Sequence, residues 1–221
     1  MKVIIFGGSG FLGQQIAKIL VQRQHQVISV SRHGKPATLS ASWSHQVQWV
    51  CSDVTRDTNW QEQVQRADWV IDTVGILFEN PRKKKTYQRL ILTPVKKISS
   101  FLAQQKKPAK FLFISANTVP FPLRKYMDAK LAAEELIHQE VAEAVIFYPS
   151  LLVGQERTGT ILFSKCIYFF KKIPFLKNLF IGYDPVPVAE MAQEIVHVLE
   201  GGNSIYTQKD PLTIYLSIIS V

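Results

Sequence analysis

The 221-residue chain is 47% hydrophobic and 19% charged. That is a globular composition, long enough for one sizeable core and a small lobe but not for two ordinary domains. Two cysteines, Cys51 and Cys166, lie far apart, which excludes a disulfide framework and fits a reducing cytoplasm. A net charge of +9 points to an anionic partner or to a merely basic surface, and no zinc-finger, RNP or helix-turn-helix pattern supports nucleic acid. No run reaches the roughly 18 uncharged apolar residues of a membrane span. Residues 161–181 come nearest and are broken by Lys165, Lys171, Lys172 and Lys177. The start lacks the apolar run and cleavage site of a secretory leader, so a cytoplasmic location is expected.

Strand and helix signals alternate along the chain. VIIF (3–6) reads as a strand and 13–24 as a helix; QVISV (26–30) and 47–51 are the next strands. A helix is expected over 58–66, a strand over ADWVIDTVGIL (67–77) and a long helix over 86–105. KFLFISA (110–116) is an apolar strand, 126–139 a helix and AVIFYPS (144–150) a further strand. Near-continuous apolar strands separated by helices predict an α/β fold: a doubly wound, Rossmann-like parallel sheet with helices on both faces. The run Lys83–Lys85 falls in a loop and reads as solvated.

The stretch GGSGFLG (7–13) lies between the first strand and the first helix. Gly7 permits a tight turn, Gly10 lets a pyrophosphate approach the backbone, and Gly13 lets the helix pack closely on the strand. The helix N-terminus offers free N–H groups and a partial positive charge to phosphates. The segment Gly7, Ser9, Gly10, Phe11, Leu12 and Gly13 is therefore expected to hold a dinucleotide. A site that prefers NAD places a carboxylate after the second strand. Here Ser31 and Arg32 stand there, with His33 and Lys35 close by. A guanidinium pairs with a 2′-phosphate that a carboxylate would repel, so NADP(H) is favoured over NAD(H).

The spacing GxxGxxG resembles the short-chain dehydrogenase/reductase superfamily, and in particular its extended and atypical, epimerase-like members, which include the NADPH-holding subunit of respiratory complex I. Residues 1 to about 200 carry the resemblance. Asp53 and Val54 resemble the pair that meets the adenine ring. TVGIL (73–77), with Val74 and Gly75, resembles the segment lining the nicotinamide side. YMDAK supplies the Y-x-x-x-K pair as Tyr126 and Lys130. YPSLLVG (148–154) resembles the R-P-x-x-x-x-G segment, with Tyr148 in place of the usual Arg before Pro149. PVPVAEMAQEI (185–195) resembles a later family segment.

The resemblance implies an oxidoreductase in which Tyr126 exchanges a proton with the substrate oxygen and Lys130 holds the ribose and lowers the tyrosine pKa. A hydroxyl is expected after the fifth strand. Aligned through Val119, that position is Ala116, and Ser115 becomes the strand-end serine lining the cofactor. Candidate catalytic residues are thus Tyr126, Lys130 and Ser115, with Asn117 or Thr118 as substitutes for the missing hydroxyl. Ala116 and the short tail favour a rival reading, a protein that holds NADP(H) as a sensor, assembly factor or complex subunit. A sugar-nucleotide epimerase or dehydratase is a third reading. A single domain over 1–221 is expected, with 155–184 supplying most of a small substrate lobe. Residues 155–184 are expected to form a core helix with a packed loop or, on the sharper reading, an apolar-substrate pocket, a partner face or a membrane-surface helix, with 161–181 the stretch offered to a membrane or protein partner. The resemblance also implies homodimer pairing through 86–105 and 126–139. The five histidines have no ligand spacing, so no metal is assigned.

Overall fold

The computed structural model describes residues 1–117, 123–154 and 185–209. Six strands form one sheet: β1 (Lys2–Phe6), β2 (Gln26–Ser31), β3 (Val47–Cys51), β4 (Trp69–Asp72), β5 (Lys110–Ile114) and β6 (Ala144–Phe147). Their order is β3-β2-β1-β4-β5-β6, and every pairing is parallel. β1 lies between β2 and β4, with Phe6 opposite Val30 on one side and Asp72 on the other. Val3, Ile4, Ile5 and Phe6 are all fully buried, as expected for a strand covered on both faces. A second, two-stranded sheet pairs β7 (Leu152–Val153) with β8 (Val186–Pro187).

Alternate side chains feed two cores. Val3, Ile5, Ile71 and Leu112 pack beneath α1 (Phe11–Gln22) and α5 (Val188–Leu199), through Ile16, Leu20, Met191 and Ile195. Ile4, Phe6, Val70, Phe111 and Phe113 face α3 (Thr93–Ala103) and α4 (Arg124–Glu140), through Ile98, Leu102, Ala133 and Ile137. Trp60, on the short α2 (Trp60–Val64), seals this second core edge-on to Phe6 at 5.2 Å and Phe101 at 5.4 Å. Each such side chain contributes about 1.5–3 kcal/mol on burial, and the two cores share one sheet.

The expected doubly wound sheet is present, and several boundaries differ from the sequence reading for identifiable reasons. β4 stops at Asp72 rather than running to 77, because the Asp72 carboxylate accepts the Val74 N–H at 2.9 Å and turns the chain out of the sheet. The helix expected over 86–105 opens as a π-turn, Gln88–Leu92, before α3 begins. Pro94 has no N–H to give to the preceding turn, which accounts for the wider ring there. The helix expected over 58–66 is confined to Trp60–Val64, and Arg66 adopts the left-handed conformation (φ 60°). β6 ends at Phe147: the Tyr148 N–H turns to Tyr206 O at 2.8 Å, and Pro149 has no donor. Helix α5, which the sequence reading treated only as a resemblance segment, covers the open face beside α1. The proposed lobe 155–184, the segment 161–181 and Thr118 lie outside the described residues.

Candidate functional site

The sheet order reverses direction between β1 and β4, so their carboxyl ends open a crevice. A cavity of about 680 Å³ occupies it. It runs from the ends of β2 and β3 (Ser31, Arg32, His33, Asp53, Val54), past the glycine turn (Gly7, Ser9, Gly10, Phe11, Leu12), to the ends of β4 and β5 (Val74, Gly75, Ser115, Ala116). Tyr126, Lys130 and Pro149 complete the inner end. Gly13 and Tyr148, the other two expected site residues, do not line it.

The glycine turn has the shape its sequence predicts. Gly7 sits at φ 81°, and an added Cβ there would lie 2.7 Å from Thr73 Oγ1. A Cβ on Gly10 would come within 3.0 Å of Gly7 O, and one on Gly13 within 2.5 Å of the same oxygen. Gly13 thus works behind the cavity, as the close contact between helix and turn. Gly10 is the N-cap of α1 and carries no side chain to satisfy the first N–H groups of that 12-residue helix. N–H groups at a dipole's positive end, with no cap side chain of Gly10 over them, fit a pyrophosphate.

Outward from the turn lies a cationic end. The Ser31 hydroxyl donates to Gly34 O at 3.0 Å, and Gly34 is left-handed (φ 62°). This turn carries Arg32 and His33 at the cavity edge. Asp53 accepts from Thr55 N and Oγ1 through one oxygen and from Arg89 at 3.2 Å through the other. Partial burial opposes its charge, but the Thr55 bonds and the Arg89 and Arg32 guanidiniums prevail and hold the carboxyl below its usual range. The same Arg89 donates to Lys84 O at 3.4 Å, tying the loop over 76–87 to the Asp53 corner. Lys85, read from sequence as solvated, lines the cavity.

The charged groups of the inner end are buried. Lys130 is 4% exposed. Its ammonium donates to Ile114 O at 2.6 Å and lies 4.5 Å from the Phe113 ring centre. Burial pulls its pKa down to about 8, against the opposing pull of the Asp72 and Glu134 carboxylates. Asp72 is 1% exposed, and its second oxygen has no hydrogen-bond partner among the described residues. Burial drives its pKa up to about 7, although the Val74 N–H and the Lys130 charge work the other way. Tyr126 packs edge-on to Tyr87 at 5.9 Å, and burial raises its hydroxyl to about 12. That burial opposes the lowering expected from Lys130.

Ser115 lines the cavity and has a partner behind it. Its hydroxyl donates to Glu134 Oε1, a buried carboxylate one helical turn beyond Lys130. Ala116 offers only a methyl group to the cavity. Glu134 Oε2 pairs with Lys209 at 2.7 Å and receives the Tyr148 hydroxyl at 3.5 Å. Tyr148, expected against the cofactor, thus stands behind Ser115. Asp72, Arg89, Glu134 and Lys209 were not singled out in the sequence. Only Glu134 left a signal there, a carboxylate four residues after Lys130 on the same helical face. No group of three His, Cys, Asp or Glu side chains among the described residues could hold a metal ion. No helix among them is long and apolar enough to cross a membrane.

A family model described as NAD(P)H-binding matches residues 7–171. The chain is 31% identical over 165 residues to an uncharacterized chloroplastic protein of Arabidopsis thaliana, covering 72% of this chain and 53% of that protein. It is 37% identical over 92 residues to the MIOREX complex component 2 of Saccharomyces cerevisiae, covering 40% of this chain and 33% of that one. The chain thus spans a third to about half the length of the curated relatives it matches. Among solved structures, the fold is similar to UDP-glucuronic acid 4-epimerase from Bacillus cereus in complex with NAD (TM-score 0.68, 17% identity, 93% of this chain and 75% of that chain). It is also similar to MoeE5 in complex with UDP-glucuronic acid and NAD (TM-score 0.67, 16% identity, 93% and 74%). Vestitone reductase from alfalfa (Medicago sativa L.) is a third such structure (TM-score 0.61, 17% identity, 92% and 74%). With the glycine turn, the parallel sheet and the crevice at its switch point, the family match establishes that the chain belongs to the NAD(P)H-binding family, and the solved structures show that it shares their Rossmann-like fold.

Proposed function

We propose that the protein binds NADP(H) in preference to NAD(H) and exchanges a hydride with a carbonyl or carbinol substrate. The observation that carries this reading is the shared cavity: Tyr126 and Lys130 face the same space as the glycine turn and Arg32. The dinucleotide, when bound, supplies or takes the hydride. The chain's own groups do the remaining work. The N–H groups of the α1 N-terminus, which Gly10 does not cap, hold the pyrophosphate. Arg32 and His33, with no carboxylate beside them on that turn, meet the 2′-phosphate of the adenosine ribose. Asp53 and Val54 meet the adenine edge. Lys130 spends one ammonium proton on Ile114 O and keeps the others for ribose hydroxyls. Tyr126, a protonated phenol whose pKa burial raises to about 12, exchanges its proton with the substrate oxygen.

A second reading is a holder of NADP(H) that turns over little. Two observations favour it: Ala116 brings no hydroxyl to the substrate oxygen, and the Ser115 proton is already given to Glu134. The name of the yeast relative, a complex component, points the same way. Pairing of two copies through the α3 and α4 faces fits either reading.

The test is Tyr126→Phe, assayed for NADPH binding and for NADPH oxidation over a panel of carbonyl compounds. An oxidoreductase loses roughly 10²-fold or more in rate, the usual scale of a lost general acid, while keeping its NADPH affinity. Equal, background oxidation in wild type and variant, with NADPH bound tightly by both, decides for the holder.

A further inference from the structure

The buried carboxylate of Glu134 has no part in the proposed hydride exchange, yet it is 6% exposed and takes three donors. They come from three separate parts of the chain: the Ser115 hydroxyl after β5, the Tyr148 hydroxyl after β6 and the Lys209 ammonium. Lys209 also lies 5.0 Å from the Tyr148 ring centre. The same segment is tied by its backbone, since Tyr148 N donates to Tyr206 O at 2.8 Å. Residues 204–209 therefore dock on the end of β6, and a single ion pair closes that docking onto helix α4.

The consequence falls on Ser115. A serine hydroxyl has one proton and two lone pairs. With the proton given to a carboxylate, the oxygen can only accept from whatever occupies the cavity. Ser115 lies at the carboxyl end of β5, on the far side of β1 from Arg32 and Asp53. That is the half of the crevice left for the nicotinamide riboside once adenine lies over β2 and β3. The groups there with protons to give are ribose hydroxyls and the carboxamide N–H₂.

We propose that Glu134, paired with Lys209, is a positioning residue that fixes the Ser115 hydroxyl as an acceptor for the nicotinamide half of the dinucleotide, making the segment 204–209 part of the cofactor site. The proposal rests on the reading that the cavity binds the dinucleotide. It explains why a charged group is kept behind the cavity wall, where an apolar residue would pack at less desolvation cost. It also explains why Ser115 is unsuited to donate to a substrate oxygen.

The experiment is a double-mutant cycle between Ser115→Ala and Glu134→Leu, read by calorimetric titration with NADPH and with adenosine 2′,5′-bisphosphate, which has only the adenine half. Each single substitution should weaken NADPH by roughly tenfold, the value of a hydrogen bond within a charged network. Glu134→Leu should add nothing in the Ser115→Ala background. The bisphosphate should bind all variants within about twofold of wild type, on the scale of measurement and additivity error. Lys209→Met, at a less buried position, tests the same link should Glu134→Leu not fold: it should weaken NADPH selectively, and Lys209→Arg should restore it. Equal weakening of both ligands, full additivity of the two substitutions, or unchanged NADPH affinity in Lys209→Met would each overturn the proposal and leave the cluster as a support of the fold. Wild type that binds neither ligand would instead remove the cofactor reading itself.

Discussion

The two ends of the crevice are built from opposite materials. At the β2–β3 end, Arg32 and His33 stand exposed, and the Arg89–Asp53 pair is open to solvent on both sides, with 25% and 17% of the two side chains accessible. At the β4–β5 end, Asp72, Lys130 and Glu134 are each less than a tenth exposed. In the first setting water screens every charge, and an ion pair is worth about 0–1 kcal/mol. In the second, a polar group that loses its partner costs about 1–3 kcal/mol. The outer end can therefore be altered residue by residue and reports on ligand choice. The inner end responds as a network, and changes there reach stability as well as binding.

Breaking the hinge between the two ends should have the largest effect. In Gly10→Val the branched side chain would press on Gly7 O, 3.0 Å from the new Cβ, and fill the pyrophosphate position. Stabilisation by NADPH in a thermal-shift assay should vanish while the far-ultraviolet circular dichroism stays that of the wild type. Retained stabilisation would take the glycine turn out of the site.

The next effect sharpens the contrast by relieving the buried end. Asp72→Asn keeps an acceptor for the Val74 N–H and removes a carboxylate whose second oxygen has no partner among the described residues. It should raise stability at pH 8 by no more than about 1 kcal/mol in urea unfolding, the low end for a buried unsatisfied group, because Lys130 loses the pull of that carboxylate. The sign with pH follows from the raised native pKa of about 7. The native state keeps the proton that the unfolded chain releases near pH 4, so wild-type stability from this group falls as the pH rises from about 4 to about 7. The advantage of the variant should grow over that window and level off above it. A constant difference would mean that Asp72 does not titrate as a buried acid. Lys130, lowered to about 8, acts on the alkaline side: its contribution is present above about 10.5 and lost as the pH falls towards 8.

On binding, the outer cation comes next. Arg32→Ala should weaken NADPH by roughly tenfold, as for a charge-assisted phosphate contact, and leave NADH within about twofold by titration. Equal losses for both dinucleotides would end the NADP assignment. The smallest effect belongs to Arg89→Ala, which frees one oxygen of Asp53. Both dinucleotides should weaken alike by two- to fivefold, in keeping with about 0.5–1 kcal/mol for a partly exposed pair. A loss confined to NADPH would place Arg89 on the 2′-phosphate instead.

The same contrast explains what could be read from sequence. The outer end and the glycine turn are local: GGSGFLG and Ser31-Arg32 each carry their own geometry within a few residues, and the apolar strands announce a covered parallel sheet. The inner end is assembled from residues remote in the chain. Nothing near Ser115 in sequence says that Glu134 will take its proton, and nothing near Glu134 announces Lys209, 75 residues further on. Asp72 reads as one more residue of an apolar strand until its carboxylate is seen to cap Val74 and end that strand. The π-turn before α3 was hidden for a related reason. Pro94 lies where its missing donor widens one turn without interrupting the apolar face that marks the helix.

The central place of β1 in the sheet governs the order in which the protein can assemble. β1 has its β2 partner within 24 residues of chain, Lys2 meeting Gln26, but its other edge waits for β4, Val3 meeting Trp69 across 66 residues. The crevice opens between those two strands, so it cannot exist until β4 is in place. Pairings of such sequence separation are slow to form. A nascent chain ending before β4 would hold the complete glycine turn and yet bind no nucleotide, so the ligand can stabilise only the late stages of folding, when β1 gains its second neighbour.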